Sequence, residues 1–107
     1  MEIKTERYEN GVSVLVNGRL DSLTSPLLEG HILPMVPVEK KLILNLANVE
    51  YVSSAGLRVF LMIAKTSNKH PCEFVLCEVN ENILSVIEMS GFGSILTIKG
   101  NLQDALS

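Results

Sequence analysis

The sequence NLANVEYVSSAGL, residues 45–57, joins a predicted buried strand to a predicted helix. Residues 42–46, where the strand begins, are almost continuously apolar, which is typical of a central strand covered on both faces. After a short loop, the segment that follows two serines carries apolar residues at the i, i+3, i+4 and i+7 spacing of a helical face: Leu57, Phe60, Leu61 and Ala64. A buried strand followed directly by an amphipathic helix indicates an α/β protein.

The segment before this strand predicts a hairpin and a first helix. Asn10-Gly11 separates two extended segments, residues 2–8 and 12–20, and we expect a tight turn in which both central positions have φ > 0. Val12, Val14 and Val16 alternate along the second strand, so they should share its buried face. We expect Ser25 to be the N-cap of the helix and Pro26 its first residue. This helix carries Leu27, Leu28 and Ile32 and ends before Pro34, and residues 34–37 form a loop.

The C-terminal half continues the alternation of strands and helices. Residues 74–79 and 95–98 are predicted strands, Asn80 caps a helix that ends near Gly91, and residues 102–106 form a short closing helix. Phe92, just after the helix stop, is assigned to the core. We therefore predict a single α/β domain over residues 1–107, with a mixed, mostly parallel sheet, an N-terminal β-hairpin and about four helices.

Composition argues against several classes of partner. The 107 residues carry 9 Lys and Arg against 12 Asp and Glu, a net charge of −3, so a nucleic-acid or anionic-membrane surface is disfavoured. With no Trp and only 5% aromatic residues, platforms for stacking bases are not expected. No apolar stretch approaches the ~20 residues of a membrane span, and no cationic leader precedes an apolar segment. We expect a cytoplasmic protein that does not insert into membranes.

The cysteines, histidines and serines predict neither a metal site nor an enzyme. Cys72 and Cys77 bracket a predicted strand, which separates them by ~16 Å and places them on opposite faces, so we expect two free, buried thiols. His31 and His70 have no ligand-type neighbours and should lie at helix ends or on the surface. Ser54 lacks a His and acid pair, and no phosphate-binding loop motif is present, so we expect no catalysis and no cofactor.

Two features around the second helix could serve a partner. Ser53 or Ser54 should occupy its N-cap or first turn, and Gly56 would let another backbone come close. Further along, Arg58, Met62, Lys65 and Lys69 recur near one face. This stripe is either an ordinary solvated face or a docking surface in which Met62 supplies an adaptable apolar contact.

Two motifs give the sequence a family resemblance. Ser53-Ser54-Ala55-Gly56-Leu57 resembles the Asp-Ser-Ser-Gly-Leu or Asp-Ser-Ala-Gly-Leu signature of the STAS domain, the fold of bacterial anti-sigma-factor antagonists. Gly18-Arg19-Leu20-Asp21, with Thr24 following, is similar to the family's Gly-x-Leu-Asp at the end of the second strand. The order of the predicted elements agrees with this fold over nearly the whole chain.

The resemblance implies a phosphorylation-controlled switch. Its acceptor would be Ser54, modified by a partner that is both an anti-sigma factor and a serine kinase of the histidine-kinase-like ATPase fold. The unmodified protein would bind that partner, phosphorylation would release it, and a PPM-type serine phosphatase would reset it. Ser53 stands where many relatives have Asp, which makes Ser53 an alternative acceptor. Asp21 should lie near the same loop end, where it could cap backbone, polarise the hydroxyl or repel the phosphate.

The expected partner-binding residues are Asp21, Ser53, Ser54, Gly56, Arg58 and Met62. A second interpretation is a STAS scaffold that is never phosphorylated, serving as a subunit of a lipid-transport or signalling complex. The absence of Asp at position 53 is the observation that favours this second interpretation.

Overall fold

Five strands and four helices follow one another in the predicted order. The computed structural model describes residues 1–107. The strands are β1 (Glu2–Tyr8), β2 (Gly11–Leu20), β3 (Lys41–Val52), β4 (Glu73–Cys77) and β5 (Thr97–Lys99). The helices are α1 (Ser25–Ile32), α2 (Ser54–Ser67), α3 (Glu81–Met89) and α4 (Leu102–Leu106), with a 3₁₀ turn at Leu33–Met35. The sheet order is β1-β2-β3-β4-β5; β1 and β2 are antiparallel and all other neighbours parallel. The predicted α/β fold with a mixed, mostly parallel sheet is confirmed.

The hairpin is confirmed, but the reason predicted for it is wrong. Tyr8 lies opposite Gly11 in the register, so Glu9 and Asn10 form the turn. Neither Asn10 nor Gly11 has a positive φ. Gly11 is required instead by the neighbouring strand, because a Cβ at this position would lie 2.9 Å from both the Cβ and the carbonyl oxygen of Lys41. Glycine here permits the close approach of β2 and β3 at their start.

The sheet is covered on both faces, which explains the apolar run in β3. Leu42, Leu44 and Leu46 belong to the main core beneath α1, α2 and α3, whereas Ile43 faces the other side. There it packs in a smaller cluster that includes Val75, Cys77 and Ala105 of α4. Both faces of β3 are thus buried, as the sequence pattern predicted.

The start of α1 differs from the prediction. Thr24, not Ser25, is the N-cap residue, and it forms no side-chain capping hydrogen bond. Ser25 is the first helical residue and is buried, Pro26 is the second, and the side chain of Leu27 is exposed. The helix begins one residue earlier than predicted because the Thr24 carbonyl accepts the N–H groups of Leu27 and Leu28, which a capping Ser25 would have served, while the Asp21 carboxylate holds the preceding turn through the Leu23 and Thr24 N–H groups. The helix ends before Pro34 as predicted, but the segment 33–35 is a 3₁₀ turn rather than a loop.

Three boundaries were misplaced by the sequence pattern. The strand that was expected to end near residue 46 continues to Val52, so no loop separates it from α2. The strand predicted over 74–79 ends at Cys77, because Glu78 has a φ of 57°. The last strand begins at Thr97 instead of residue 95, since the Ile95 and Leu96 N–H groups donate to the Phe92 carbonyl in a turn.

Candidate functional site

The ends of β2 and β3 bring two of the predicted site residues to one edge of the sheet. Leu20 pairs with Val52 in parallel register, and the Ser53 N–H donates to the Leu20 carbonyl at 2.8 Å. Asp21 and Ser53 each follow directly after these paired residues, so they lie at the carboxyl ends of adjacent parallel strands. This edge is where open α/β sheets place their functional sites.

The two serines have different roles at the start of α2. Ser53 is the N-cap, with extended backbone, and its Oγ accepts the Gly56 N–H at a long 3.4 Å. Ser54 is the first helical residue; its side chain is exposed and its hydroxyl forms no hydrogen bond within the chain. The structure therefore places both serines where the sequence predicted, and only the Ser53 hydroxyl is used to cap the helix.

Gly56 sets how closely α2 approaches the strand ends. A Cβ at this position would lie 2.8 Å from Val52 Cγ1, 3.1 Å from Leu20 Cβ and 3.2 Å from the Leu20 carbonyl oxygen. Such distances are shorter than ordinary van der Waals contact, so any larger residue would push the first turn of the helix outward. The predicted close approach at Gly56 is confirmed, and the position of Ser54 depends on it.

Asp21 caps its own turn. One carboxylate oxygen accepts the N–H groups of Leu23 and Thr24, each at 3.0 Å, and the Asp21 N–H donates to the Thr24 hydroxyl at 3.0 Å. These backbone hydrogen bonds hold the pKa of Asp21 below its ordinary value, with a smaller contribution from the charge of Arg19. Of the three roles considered for Asp21, backbone capping is the one that the geometry displays; the carboxylate makes no hydrogen bond to either serine.

Ser54 opens into a shallow groove of about 310 Å³. Its lining joins the first two turns of α2 to the segment after α3: Ser54, Leu57, Arg58, Leu61, Ser90 and Phe92. The sequence had placed Leu61 and Phe92 in the core, and both are only partly buried. Nothing in the linear pattern indicated that Ser90 and Phe92, in the segment after α3, would pass beside Ser54.

The stripe on α2 is exposed along its length. Arg58, Met62, Lys65 and Lys69 all lie at the surface, with 37% of Met62 accessible. A second groove of about 340 Å³ follows the stripe and shares Arg58 and Leu61 with the Ser54 groove. Ser53, Ser54, Gly56 and Arg58 thus cluster in the first turns of α2, while Met62 lies one turn beyond Arg58.

The remaining reactive side chains lie apart from this edge. Cys72 and Cys77 are free and buried, and they belong to the two different core clusters on either side of the sheet. Burial raises the pKa of the Cys77 thiol to about 11. His31 and His70 are exposed, and the His31 ring forms a hydrogen bond with Thr5 at 3.1 Å. The chain shows no cluster of metal-ligating side chains, and none of its helices has the length and apolarity to cross a membrane.

The family model of the STAS domain matches residues 2–105, nearly the whole chain and including both strand ends described above. The chain belongs to the STAS domain family. The recognition made from the Ser53–Leu57 and Gly18–Asp21 motifs is therefore confirmed.

Among its relatives, the STAS chain is similar to proteins named as antagonists of anti-sigma factors. It is 31% identical over 106 residues to BtrV of Bordetella bronchiseptica, a candidate anti-sigma factor antagonist, covering 98% of this chain and 91% of that protein. It is 30% identical over 101 residues to the anti-sigma-B factor antagonist of Listeria monocytogenes, covering 92% of this chain and 87% of that protein.

Solved structures confirm the STAS fold. The anti-sigma factor antagonist SpoIIAA superposes with a TM-score of 0.80 in its unphosphorylated form, at 16% identity, covering 98% of this chain and 93% of that one. The phosphorylated form of Bacillus SpoIIAA gives a TM-score of 0.74 at 16% identity, covering 98% of this chain and 96% of that one. The shared fold extends over nearly the whole chain.

Proposed function

We propose that this STAS protein is a bacterial, cytoplasmic anti-sigma factor antagonist that works as a non-enzymatic switch. In its unmodified form it binds a kinase-type anti-sigma factor of the histidine-kinase-like ATPase fold, and phosphorylation of Ser54 releases it. The observation that carries the proposal is the exposed Ser54 hydroxyl, which stands free of internal hydrogen bonds at the first residue of α2. The names of its relatives support the same role.

The modification itself is a phosphoryl transfer from ATP held by the partner. The Ser54 Oγ attacks the γ-phosphorus, the bond from that phosphorus to the bridging oxygen breaks, and ADP leaves. The hydroxyl proton passes to a base or water on the partner. A PPM-type phosphatase would reverse the modification by hydrolysis: water attacks the phosphorus, the bond from phosphorus to the Ser54 Oγ breaks, inorganic phosphate leaves, and the Oγ takes a proton from the water.

The position of Ser54 lets the domain stay folded when its charge changes. Phosphoserine adds a charge of about −1.5 to −2 near pH 7, and the N-terminal end of a helix tolerates negative charge because its dipole and free N–H groups favour anions. SpoIIAA has this fold both with and without phosphate. A partner surface formed around a neutral hydroxyl would instead meet a desolvated dianion. A loss of ~2.8 kcal/mol there weakens binding about a hundredfold.

Ser54 is favoured over Ser53 because the two oxygens are used differently. The Ser53 oxygen accepts the Gly56 N–H and its side chain is half-buried. A phosphate on Ser53 would have to replace that contact, and loss of an N-cap destabilises a helix by about 0.5–2 kcal/mol. The remaining proposed contacts surround the acceptor: Arg58 and Met62 reach the partner, Gly56 sets the position of the helix, and Asp21 orders the adjacent strand end.

The test is incubation of the purified chain with ATP and each histidine-kinase-like ATPase encoded in the same genome. Intact mass should increase by one phosphate, Ser54→Ala should abolish the increase, and Ser53→Ala should be modified at a rate close to that of the unaltered chain. Modification of Ser54→Ala to the same extent would move the acceptor to Ser53 or to another residue. Complexes formed without ATP should dissociate when ATP is added.

The second candidate is a STAS scaffold that is never phosphorylated. It is favoured by the absence of a carboxylate at position 53 beside the acceptor. In that case the chain would remain unmodified with every ATPase, and it would be recovered in a stable lipid-transport or signalling complex whose composition ATP does not change.

A further inference from the structure

The charges on and after α2 are all of one sign. Glu50 and Glu73 are consecutive acidic residues in the sequence, so residues 51–72 contain no Asp or Glu. The cationic side chains within this segment are Arg58, Lys65 and Lys69. A purely basic segment stands out in a chain whose net charge is −3.

The fold gathers these cations on one exposed face and leaves them unpaired. The ion pairs of the protein are Arg7–Glu39 and Lys41–Glu73, and neither involves α2. With Met62, the three cations recur at intervals of four, three and four residues, so they follow one side of the helix and its C-terminal turn. No acidic residue lines either groove along this side. We call Arg58, Met62, Lys65 and Lys69 the basic face.

The basic face is continuous with the candidate switch. Arg58 and Leu61 line both the groove that holds Ser54 and the groove that reaches Lys69. A partner that covers the Ser54 hydroxyl would therefore extend over the basic face without crossing another element. Met62, 37% exposed, supplies apolar contact near the middle of the face.

We propose that the basic face docks an acidic surface of the protein partner, and that its charge accelerates formation of the complex. This rests on the proposed function, because the partner is the anti-sigma factor that reads Ser54. Opposite charge on the two surfaces raises the rate of encounter and fixes the orientation of docking. Phosphorylation of Ser54 then introduces a dianion one helical turn from Arg58 and weakens the attraction at the end of the face that meets the switch.

An acidic protein fits this surface better than a nucleic acid or a membrane does. The patch has only three cations, two on α2 and one in the turn that follows it, the rest of the chain is acidic, and no Trp is present. Nucleic-acid and anionic-lipid surfaces repel such a negative remainder over their whole extent, whereas a local acidic patch on a protein does not.

The test compares two double variants with the same change in net charge. Lys65→Glu with Lys69→Glu reverses the basic face; Lys4→Glu with Lys99→Glu reverses two exposed lysines on the edge strands β1 and β5. The probe is the purified ATPase of the same genome that phosphorylates Ser54. Association rates are measured by stopped flow at about 0.01 M and about 0.15 M salt, between which the screening length shortens from ~30 Å to ~8 Å. Urea midpoints of both variants confirm that they are folded.

Reversal of the basic face should lower the association rate at low salt by roughly tenfold or more and flatten its salt dependence. At about 0.15 M salt the control should stay within about twofold of the unaltered chain, because charges more than ~8 Å from the contact are screened. At about 0.01 M both variants should associate more slowly, and reversal of the basic face should have the clearly larger effect. If both variants associate at equal rates and Ser54 is still phosphorylated, the docking role proposed for the basic face is wrong, while the proposed function stands. If no ATPase binds or modifies the unaltered chain, the proposed function fails and the basic face with it.

Two further arms separate the alternative occupants. Vesicles containing phosphatidylglycerol and a DNA duplex are each mixed with the unaltered chain and with the Lys65→Glu, Lys69→Glu variant. Neither should bind measurably at about 0.15 M salt. The proposal is wrong if the vesicles or the duplex bind the unaltered chain but not the variant, and if the variant still associates with the ATPase at the unaltered rate. In that case the face serves a lipid or a nucleic acid.

Discussion

Replacement of Gly56 by Ala isolates the contact that positions α2. The added Cβ would lie 2.8 Å from Val52 Cγ1 and 3.1 Å and 3.2 Å from the Cβ and carbonyl oxygen of Leu20. The methyl end of Val52 can rotate away, but the Leu20 atoms belong to or adjoin the backbone of a paired strand. The helix must therefore shift, and overpacking of this kind destabilises by about 1–3 kcal/mol.

The helix propensity of Ala works against that loss. Ala is better than Gly in a helix interior by about 0.8–1 kcal/mol, and position 56, in the first turn, gains at most this amount. The difference leaves a net destabilisation of roughly 0–2 kcal/mol, centred near 1 kcal/mol. For a domain of this size that corresponds to a fall in Tm of about 4 °C.

The matched control is Gly30→Ala. Gly30 lies in α1, and nothing lies within 4 Å of the Cβ that Ala would add there. Its replacement should therefore stabilise the fold by about 0.5–1 kcal/mol, opposite in sign to Gly56→Ala. Urea unfolding with a constant m-value measures both free energies.

A double variant identifies the clash. In a Val52→Ala background the nearest obstructing atom is gone, so Gly56→Ala should destabilise less than it does alone. If Gly56→Ala proved as stable as Gly30→Ala, or if the Val52 background made no difference, the inferred contact between α2 and the strand ends would be refuted.

Three further predictions concern Asp21, Cys77 and the charge next to Ser54. Asp21→Ala should lower the urea midpoint near neutral pH, whereas Asp21→Asn, which keeps an acceptor oxygen, should lower it less. Hydrogen bonds depress the folded-state pKa of Asp21, so its contribution to stability is present above the ordinary value of 3.8 and is lost as the pH falls through the lower folded value. The free energy of unfolding should therefore fall less steeply with decreasing pH in Asp21→Ala than in the unaltered chain. Cys77, whose pKa is raised to about 11, should resist iodoacetamide in the folded chain and react in urea, and rapid labelling of the native thiol would contradict its burial. In a chain carrying phosphoserine at 54, phosphorus NMR titration should show that Arg58→Gln raises the phosphate pKa by roughly 0.2–0.4, the size expected for an exposed i, i+4 pair, and an unchanged titration would show that the two side chains do not interact.

Where a sequence pattern reflects burial, it predicted the fold well. The alternation of Val12, Val14 and Val16, the run through β3 and the amphipathic face of α2 each follow from which side of an element is covered, and the structure buries them accordingly. Asn80 was also predicted correctly as an N-cap, because its acceptor oxygen lies three residues before the Ile83 N–H that it receives.

The errors arose where particular contacts, rather than the preferences of single residues, decide the local geometry. Gly11 was interpreted as a turn residue, but its requirement comes from Lys41 on a neighbouring strand. Ser25 matched the preferences of an N-cap, yet the helix begins one residue earlier, because the Thr24 carbonyl accepts the Leu27 and Leu28 N–H groups. No local propensity carries such information.

The candidate site, too, could be predicted from sequence only in part. Ser53 and Ser54 could be placed at the helix start from sequence alone, since strand, cap and helix are contiguous. The groove beside Ser54 could not, because Ser90 and Phe92 reach it from the turn after α3. The contact depends on how α2 and α3 pack over the sheet, which sequence spacing does not determine.

The uncharged cap at Ser53 bears on how the proposed switch would work. The STAS signature that residues 53–57 resemble has Asp at this position, and a carboxylate there would cap the helix while adding negative charge next to the acceptor. Here the Ser53 oxygen accepts the Gly56 N–H without a charge. With no carboxylate at position 53, a dianion on Ser54 would be stabilised within the free chain by the helix dipole and by Arg58. Phosphorylation would consequently destabilise the complex almost alone, because there the same charge must be desolvated against the partner. A release switch requires such a difference in free energy between the free chain and the complex.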